Sequence, residues 1–346
     1  MATKVERTTR KRLPIQETDS VAPARGRTPY AALVLALALI LGGGIIANAA
    51  QTDGGRISVR NVHFAGTNGV MEYGLLYIPH SATTAAPACG IVAIHGYINS
   101  HDTMDGFAIE MARRGCVVLG PDQTGHGYSD APAFANGYGG PDALAYLHAL
   151  SIVRPDDIGL IGHSMGGWAS VVAAATHPRY YRSLVLVGSS AGTPQLEPIP
   201  GTPTFPKNVQ VEMGRYSEFS ELMWSVPEGR LFPDSPRLQK MFGVSQAIQP
   251  GKLYGSIAAG TARRFYYPAT THPGLTFSPD AIGDAVTWMQ QTLTGVSPYP
   301  AGRKRQDSER TQALARIGLS FPGFDRAYAT CSTAHTSSHR SWNRQR

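Results

Sequence analysis

The sequence predicts an α/β domain with a mostly parallel, doubly wound sheet and helices on both faces. Three observations carry this. Short runs that are apolar at almost every position ("GIVAIHG", "CVVLGPD", "DIGLIGHS", "SLVLVGSS") alternate with amphipathic segments from about Gly55 to Leu293. Strands buried on both faces read in this way, and parallel neighbours need a helical crossover between them. At 346 residues and 42% apolar, the chain is long enough for a single large α/β domain or two ordinary ones. Finally, one strand runs through a Gly-Ser-Gly turn directly into an Ala- and Val-rich helix, "IGLIGHSMGGWASVV".

Residues 1–29 are polar and basic, with Arg7, Arg10, Lys11, Arg12, Arg25 and Arg27. Residues 30–50, "YAALVLALALILGGGIIANAA", carry no charge and match the roughly 20 residues that cross a bilayer core. They predict a signal anchor with the basic side in the cytoplasm, or a cleaved signal peptide ending at Ala47-Asn48-Ala49. The long basic segment before them favours the anchor. Either way the sequence predicts contact with a lipid bilayer through residues 30–50 and places the following domain outside the cytoplasm.

That domain is expected over residues 55–296. "RISVRNVHFAG" and "VMEYGLLYIP" read as two strands joined at Thr67-Asn68-Gly69. "GIVAIHG" is the third strand, "FAIEMARRG" a helix and "CVVLGPD" the fourth strand. "DALAYLHALSIV" is a helix, "DIGLIGHS" the fifth strand, "MGGWASVVAAATH" a helix, "SLVLVGSS" the sixth strand and "KNVQVEMG" the seventh. "RRFYY" is an aromatic strand, followed by a loop and a helix with Ser278 as N-cap and Pro279 in its first turn. Residues 297–346 form a polar, basic tail expected to be poorly ordered, with one helical stretch in "KRQDSERTQALARIG".

The charge is unevenly spread. Residues 1–29 carry seven basic and three acidic side chains and residues 301–346 carry nine and three. Of the total of +7, these ends hold +4 and +6, which leaves −3 for the middle. A basic balance confined to the ends argues against a nucleic-acid-binding core. Cys89 and Cys116 lie in apolar strands and read as buried core residues, or as a disulfide if the domain is extracytoplasmic; Cys331 lies in the tail. No His, Cys, Asp or Glu spacing suggests a metal, and no nucleotide loop is present, so no cofactor is expected.

The chemistry centres on Gly162-His163-Ser164-Met165-Gly166. With 38 Gly in the chain, a bare G-x-S-x-G is expected roughly 0.3 times by chance, so context decides its meaning. A strand before it and a helix after it supply that context. Small residues let the turn close, and a helix N-terminus favours negative charge developing at Ser164. Three blocks, "HGYINS" (95–100), "DQTGHGYSD" (122–130) and "GHSMGG" (162–167), follow the third, fourth and fifth strands. Ligands bind at the carboxyl ends of such strands.

In these blocks and their order the chain resembles the α/β-hydrolase superfamily of serine esterases and lipases. The resemblance implies an eight-stranded-type sheet, Ser164 as nucleophile, and an oxyanion hole from the backbone N–H groups of Met165 and Tyr97. The Tyr97 ring is available to wall the acyl pocket or to pack within its loop. It also implies the order nucleophile, acid, base. Of His177, His272, His335 and His339, His272 lies in the loop after the last strand, where the family keeps its base. The acids between Ser164 and His272 are Glu197, Glu212, Glu218, Glu221, Glu228 and Asp234. Glu218 best fits the position a few residues past the seventh strand, and Glu221 is the alternative. Glu212, inside the strand, is expected to pair with Arg or Lys. His95, Asp122 and His126 are expected to brace loops, His163 to point away from the site, and His177 to be structural.

About 18 residues separate Ser189 from Lys207, too few for a large helical lid. "SELMWSVPEGRLF" and "SPRLQKMFG" are apolar enough to cap or flank the pocket, or simply to pack in the core. The function expected is hydrolysis of a small-molecule or polymeric carboxylic ester through a Ser164–His272–Glu218 triad. Peptidase or thioesterase chemistry on the same triad, or a silent membrane-tethered binding protein, are the alternatives.

Overall fold

The computed structural model of the protein describes residues 28–192 and 199–297. The basic segment, Glu197, Cys331, His335, His339 and the helical stretch expected in the tail lie outside them.

The chain divides into two units, Met1–Ile45 and Ile46–Arg346. Helix α1 (Thr28–Gln51) starts in the first. Its stretch Tyr30–Gln51 has a mean hydropathy of 2.4 and no part of it is buried, so it is long and apolar enough to cross a membrane.

The second unit is built on one eight-stranded sheet. Its strands are β1 (Ile57–Ala65), β2 (Met71–Pro79), β3 (Ala88–Ile94), β4 (Val117–Pro121), β5 (Val153–His163), β6 (Ser183–Val187), β7 (Val209–Glu212) and β8 (Arg263–Tyr266). The spatial order is β1-β2-β4-β3-β5-β6-β7-β8. β2 is antiparallel to β1 and β4, and β3 to β8 with β4 pair in parallel. The helices after α1 are α2 (Asp105–Arg113), the short turn α3 (Ala135–Tyr138), α4 (Gly140–Ala149), α5 (Met165–Thr176), α6 (Ser220–Trp224), α7 (Pro236–Phe242) and α8 (Pro279–Thr292). Ser278 caps α8 as expected, accepting from the Ala281 N–H.

Alternation along the strands divides the core in two. Val92 and Ile94 of β3, Leu160 of β5 and Leu186 of β6 face α4 and α5. Ile91, Ala93, Ile161, Val185 and Val187 face α2 and α8 with Met111, Trp288 and Met289. Ile91, Val92, Ala93 and Ile94 are completely buried, which explains the continuous apolar run of β3. Each buried Val or Ile contributes about 1.5–3 kcal/mol. A polar residue there would cost a large part of the roughly 5–15 kcal/mol that holds a domain together.

The segments expected to cap or flank the pocket, or to pack in the core, do the last in part. Met223 and Trp224 of α6, Phe232, and Leu238, Met241 and Phe242 of α7 join the core on the α5 side. The Trp224 indole N–H donates to the Ser189 carbonyl at 3.1 Å, tying α6 to the loop after β6.

Cys89, the second residue of β3, is bonded to Cys116, just before β4. The bridge joins the amino ends of two neighbouring strands, away from the loops that follow them. From β3 the chain crosses to β4 on one side, while β5 lies on the other. The crevice between the ends of β3 and β5 is therefore a topological switch point, where open α/β sheets bind ligands.

Candidate active site

Ile94 pairs with Gly162, so the loop starting at His95 runs beside His163 and Ser164. Ser164 sits between β5 and α5 with φ 53° and ψ −120°, a region costly for any residue with a Cβ. Three hydrogen bonds hold it there. Its N–H donates to the Val187 carbonyl at 2.9 Å, and its own carbonyl accepts from the Gly167 N–H at 2.9 Å and from Ser189 Oγ at 2.7 Å. The turn closes only on glycine: a Cβ on Gly162 would strike the Gly166 carbonyl, and one on Gly166 the carbonyls of Ile94 and His95. The strain at Ser164 is thus fixed by its surroundings, and its side chain stands partly exposed at the N-terminus of α5.

Met165 is the first residue of α5, so its N–H has no carbonyl one turn earlier in the helix. The opposite wall is the His95-Gly96-Tyr97 loop. His95 is completely buried. Its Nδ1–H donates to the Gly96 carbonyl at 2.7 Å and its Nε2 accepts from the Gln123 N–H at 3.0 Å. Burial pushes its pKa down to about 4, so the ring is neutral and has one fixed tautomer. Because C=O and N–H point opposite ways across a trans peptide, gripping the Gly96 carbonyl also fixes the direction of the Tyr97 N–H. The next residue, Ile98, has φ 54°, unusual for a β-branched side chain. The Tyr97 ring lies 5.9 Å from His126 and 6.2 Å from Phe134.

Asp122 braces the neighbouring loop. Burial opposes its charge, but hydrogen bonds from His101 and from the Tyr128 N–H hold its pKa below the usual value. His126 Nδ1 lies 3.1 Å from the Thr124 carbonyl. His177 stacks on Tyr180 at 4.8 Å, far along α5 from Ser164.

His272 comes from the loop between β8 and α8 and is 5% exposed. Its ring lies over Gly188, the residue after β6: a Cβ on Gly188 would be 3.0 Å from His272 Nδ1. Phe219 packs against it with ring centroids 4.6 Å apart. Burial lowers the His272 pKa to about 4. Glu218, exposed between β7 and α6, accepts a hydrogen bond from the backbone N–H of His272 through Oε2 at 3.0 Å. His272 Nδ1 is buried without a hydrogen-bond partner. Among the described residues, Ser164 Oγ makes no hydrogen bond to the His272 ring. Glu221 is exposed on α6 and makes none to His272.

Two expectations are corrected. Glu212 pairs with no Arg or Lys among the described residues. It is buried, accepts from the Gln210 amide at 2.6 Å, and burial raises its pKa well above the carboxylate range, with Asp284 adding to the shift. Burying the charge without a cationic partner is costly, which favours the protonated form. His163 does not turn away from the site either: its Nε2 lies 3.1 Å from the His272 carbonyl. That contact and the Phe219 ring were missed in the sequence, although each residue adjoins a predicted site residue.

The family model for the α/β hydrolase fold matches residues 91–218. An uncharacterised protein of Mycobacterium tuberculosis is 31% identical over 110 residues, 30% of this chain and 30% of its own. A 2-hydroxymuconate semialdehyde hydrolase of Pseudomonas putida is 37% identical over 75 residues, 21% of this chain and 26% of its own. The chain therefore aligns with less than a third of the length of these curated relatives. Among solved structures, a bacterial heroin esterase superposes with a TM-score of 0.51 at 18% identity, over 78% of this chain and 91% of that one. An esterase of Pyrococcus furiosus gives 0.50 at 13%, over 70% and 94%. The chain has the α/β-hydrolase fold, and residues 91–218 match the model for that fold.

Proposed function

We propose that the protein is a serine hydrolase of carboxylic esters, with Ser164 as nucleophile, His272 as general base and Glu218 as the acid that orients it. The observation that carries this reading is the strained Ser164 backbone, at φ 53° and ψ −120°, at the switch point of the sheet and at a helix N-terminus. A backbone so costly to hold is kept where it aims a reacting group. His272 takes the Ser164 proton as Oγ attacks the ester carbonyl. The oxygen of the tetrahedral intermediate is received by the N–H groups of Met165 and Tyr97. His272 then returns the proton to the leaving alcohol, and water cleaves the acyl-enzyme by the same steps. Hydrogen bonds in a resting triad are often long and tighten on substrate binding. Glu218, exposed and hydrogen-bonded to the His272 backbone, would turn to Nδ1 as the triad assembles.

The partly exposed Ser164, with the Tyr97 ring of the loop after β3 against Phe134 and with Phe219 packed on His272, suits a small or polymeric ester with an apolar part. We assign residues 30–50 as a membrane anchor or signal segment, and the catalytic domain to the extracytoplasmic side. The Cys89–Cys116 bridge supports this, because disulfides persist in oxidising compartments. The test is hydrolysis of p-nitrophenyl esters of increasing acyl length by the wild type and by Ser164→Ala. Turnover that disappears in the variant is expected; equal turnover overturns the proposal.

A further inference from the structure

Both polar groups of the His272 backbone are held by side chains from elsewhere in the chain, one in the loop after β7 and one at the end of β5. Glu218 Oε2 takes the N–H at 3.0 Å, and the carbonyl lies 3.1 Å from Nε2 of His163. A carbonyl only accepts, so this nitrogen of His163 carries the proton. His163 is the last residue of β5, adjoins Ser164 and is 3% exposed. Its ring centroid is 4.9 Å from that of His272, at an interplanar angle of 42°. Its other nitrogen, Nδ1, has no hydrogen-bond partner and faces Gly96, where a Cβ would come within 2.9 Å. One side chain thus touches the loop of the base and the loop of the oxyanion donor, and its backbone continues into the nucleophile.

We propose that His163 is a positioning residue for His272: its Nε2–H holds the His272 carbonyl and so sets where the imidazole meets Ser164. This rests on the reading of Ser164 and His272 as nucleophile and base. Without that donor the His272 carbonyl keeps only a long contact of 3.4 Å from the Leu275 N–H. Proton transfer is sensitive to such a loosening, because a shift of about 1 Å costs on the order of a hundredfold in rate. The choice of histidine also has an electrostatic reason. His272 becomes positive when it takes the proton, and a Lys or Arg at 163 would oppose that charge at close range. Burial, and then His272 itself, push the His163 pKa down to about 3, so the donor stays neutral throughout the cycle.

The test compares His163→Gln, which keeps an N–H donor, with His163→Phe, which keeps a ring but no donor, in the full-length chain with p-nitrophenyl acetate. His163→Phe is expected to lose about tenfold or more in kcat with KM unchanged, and to react with a fluorophosphonate more slowly by the same factor. His163→Gln is expected to stay within about threefold of wild type. A rate in His163→Phe equal to wild type, or equal losses in both variants, overturns the proposal. If His163→Phe does not fold, His163→Met is the non-donor read against His163→Gln by the same criteria. A wild type that neither turns over the ester nor labels overturns the underlying reading and this proposal with it. An active wild type with an unimpaired non-donor variant overturns the proposal alone.

Discussion

Glu218 Oε2 is bonded to the backbone nitrogen of His272 at 3.0 Å, while the ring nitrogen Nδ1 is buried with no partner. Burial alone sets the His272 pKa at about 4 in this arrangement. In the proposed triad a Glu218 carboxylate turned to the ring would raise that value by favouring the imidazolium. Glu218→Gln therefore moves the acid limb of the kcat/KM profile to lower pH, toward 4, and lowers kcat by about a hundredfold. Glu221→Gln leaves both within about twofold. A pH–rate series on the two variants checks this; an unmoved limb in Glu218→Gln with a shifted one in Glu221→Gln would reassign the acid.

Glu212 gives a pH effect of the opposite kind. Burial raises its pKa in the folded protein well above the 4.5 of the unfolded chain, where it ionises at lower pH. The unfolded state thus binds fewer protons, and the residue lowers stability as pH rises through and above that value. Glu212→Gln keeps the shape and removes the titration. Its Tm is expected to exceed that of wild type at pH 7 and to converge with it near pH 4, with ester turnover retained. A variant less stable at pH 7 than wild type, or inactive, would give Glu212 an ionised role.

The elbow predicts a sharp steric result. A methyl group at Gly166 meets the Ile94 and His95 carbonyls, which are backbone and cannot swing aside. Gly166→Ala is expected to cost about 1–3 kcal/mol or more and to abolish turnover, because the displaced carbonyls lie at the end of β3 and the start of the loop proposed to carry the Tyr97 donor. Thermal melts and ester assays of the soluble variant check both parts. Near-native stability with full activity would show that the turn is looser than described.

The succession of strands along the chain, the elbow and the place of His272 after the last strand were legible in the sequence because each has a local signature. Apolar runs mark β3 to β6, the glycines around Ser164 mark close backbone contacts, and Ser278-Pro279 marks the start of the helix after His272. The Glu212 environment was not legible: a strand residue reveals its face only once its neighbours are known, and that face is closed by α8. The His163 contact was hidden for a similar reason. Its partner lies 109 residues away, and the bond forms only because the loop after β8 folds back over the end of β5. The disulfide was open in the sequence, since both readings of Cys89 and Cys116 are apolar and buried.

That bridge closes a loop with a sequence separation of 27 residues. On loop-closure entropy it contributes about 3.5 kcal/mol. Reduction in the presence of a thiol-blocking agent is expected to lower Tm markedly while leaving the geometry at Ser164 intact below the melting transition, because the bridge lies at the opposite end of the strands. Loss of activity well below the melting temperature of the reduced protein would contradict this.

The central claim is that Ser164 is an activated nucleophile. Its most direct measurement is fluorophosphonate labelling of the full-length protein, followed by peptide mapping. The account predicts a single phosphonylated site at Ser164, absent in Ser164→Ala and strongly slowed in His272→Ala. No labelling of the folded wild type, or labelling that survives Ser164→Ala, would contradict it.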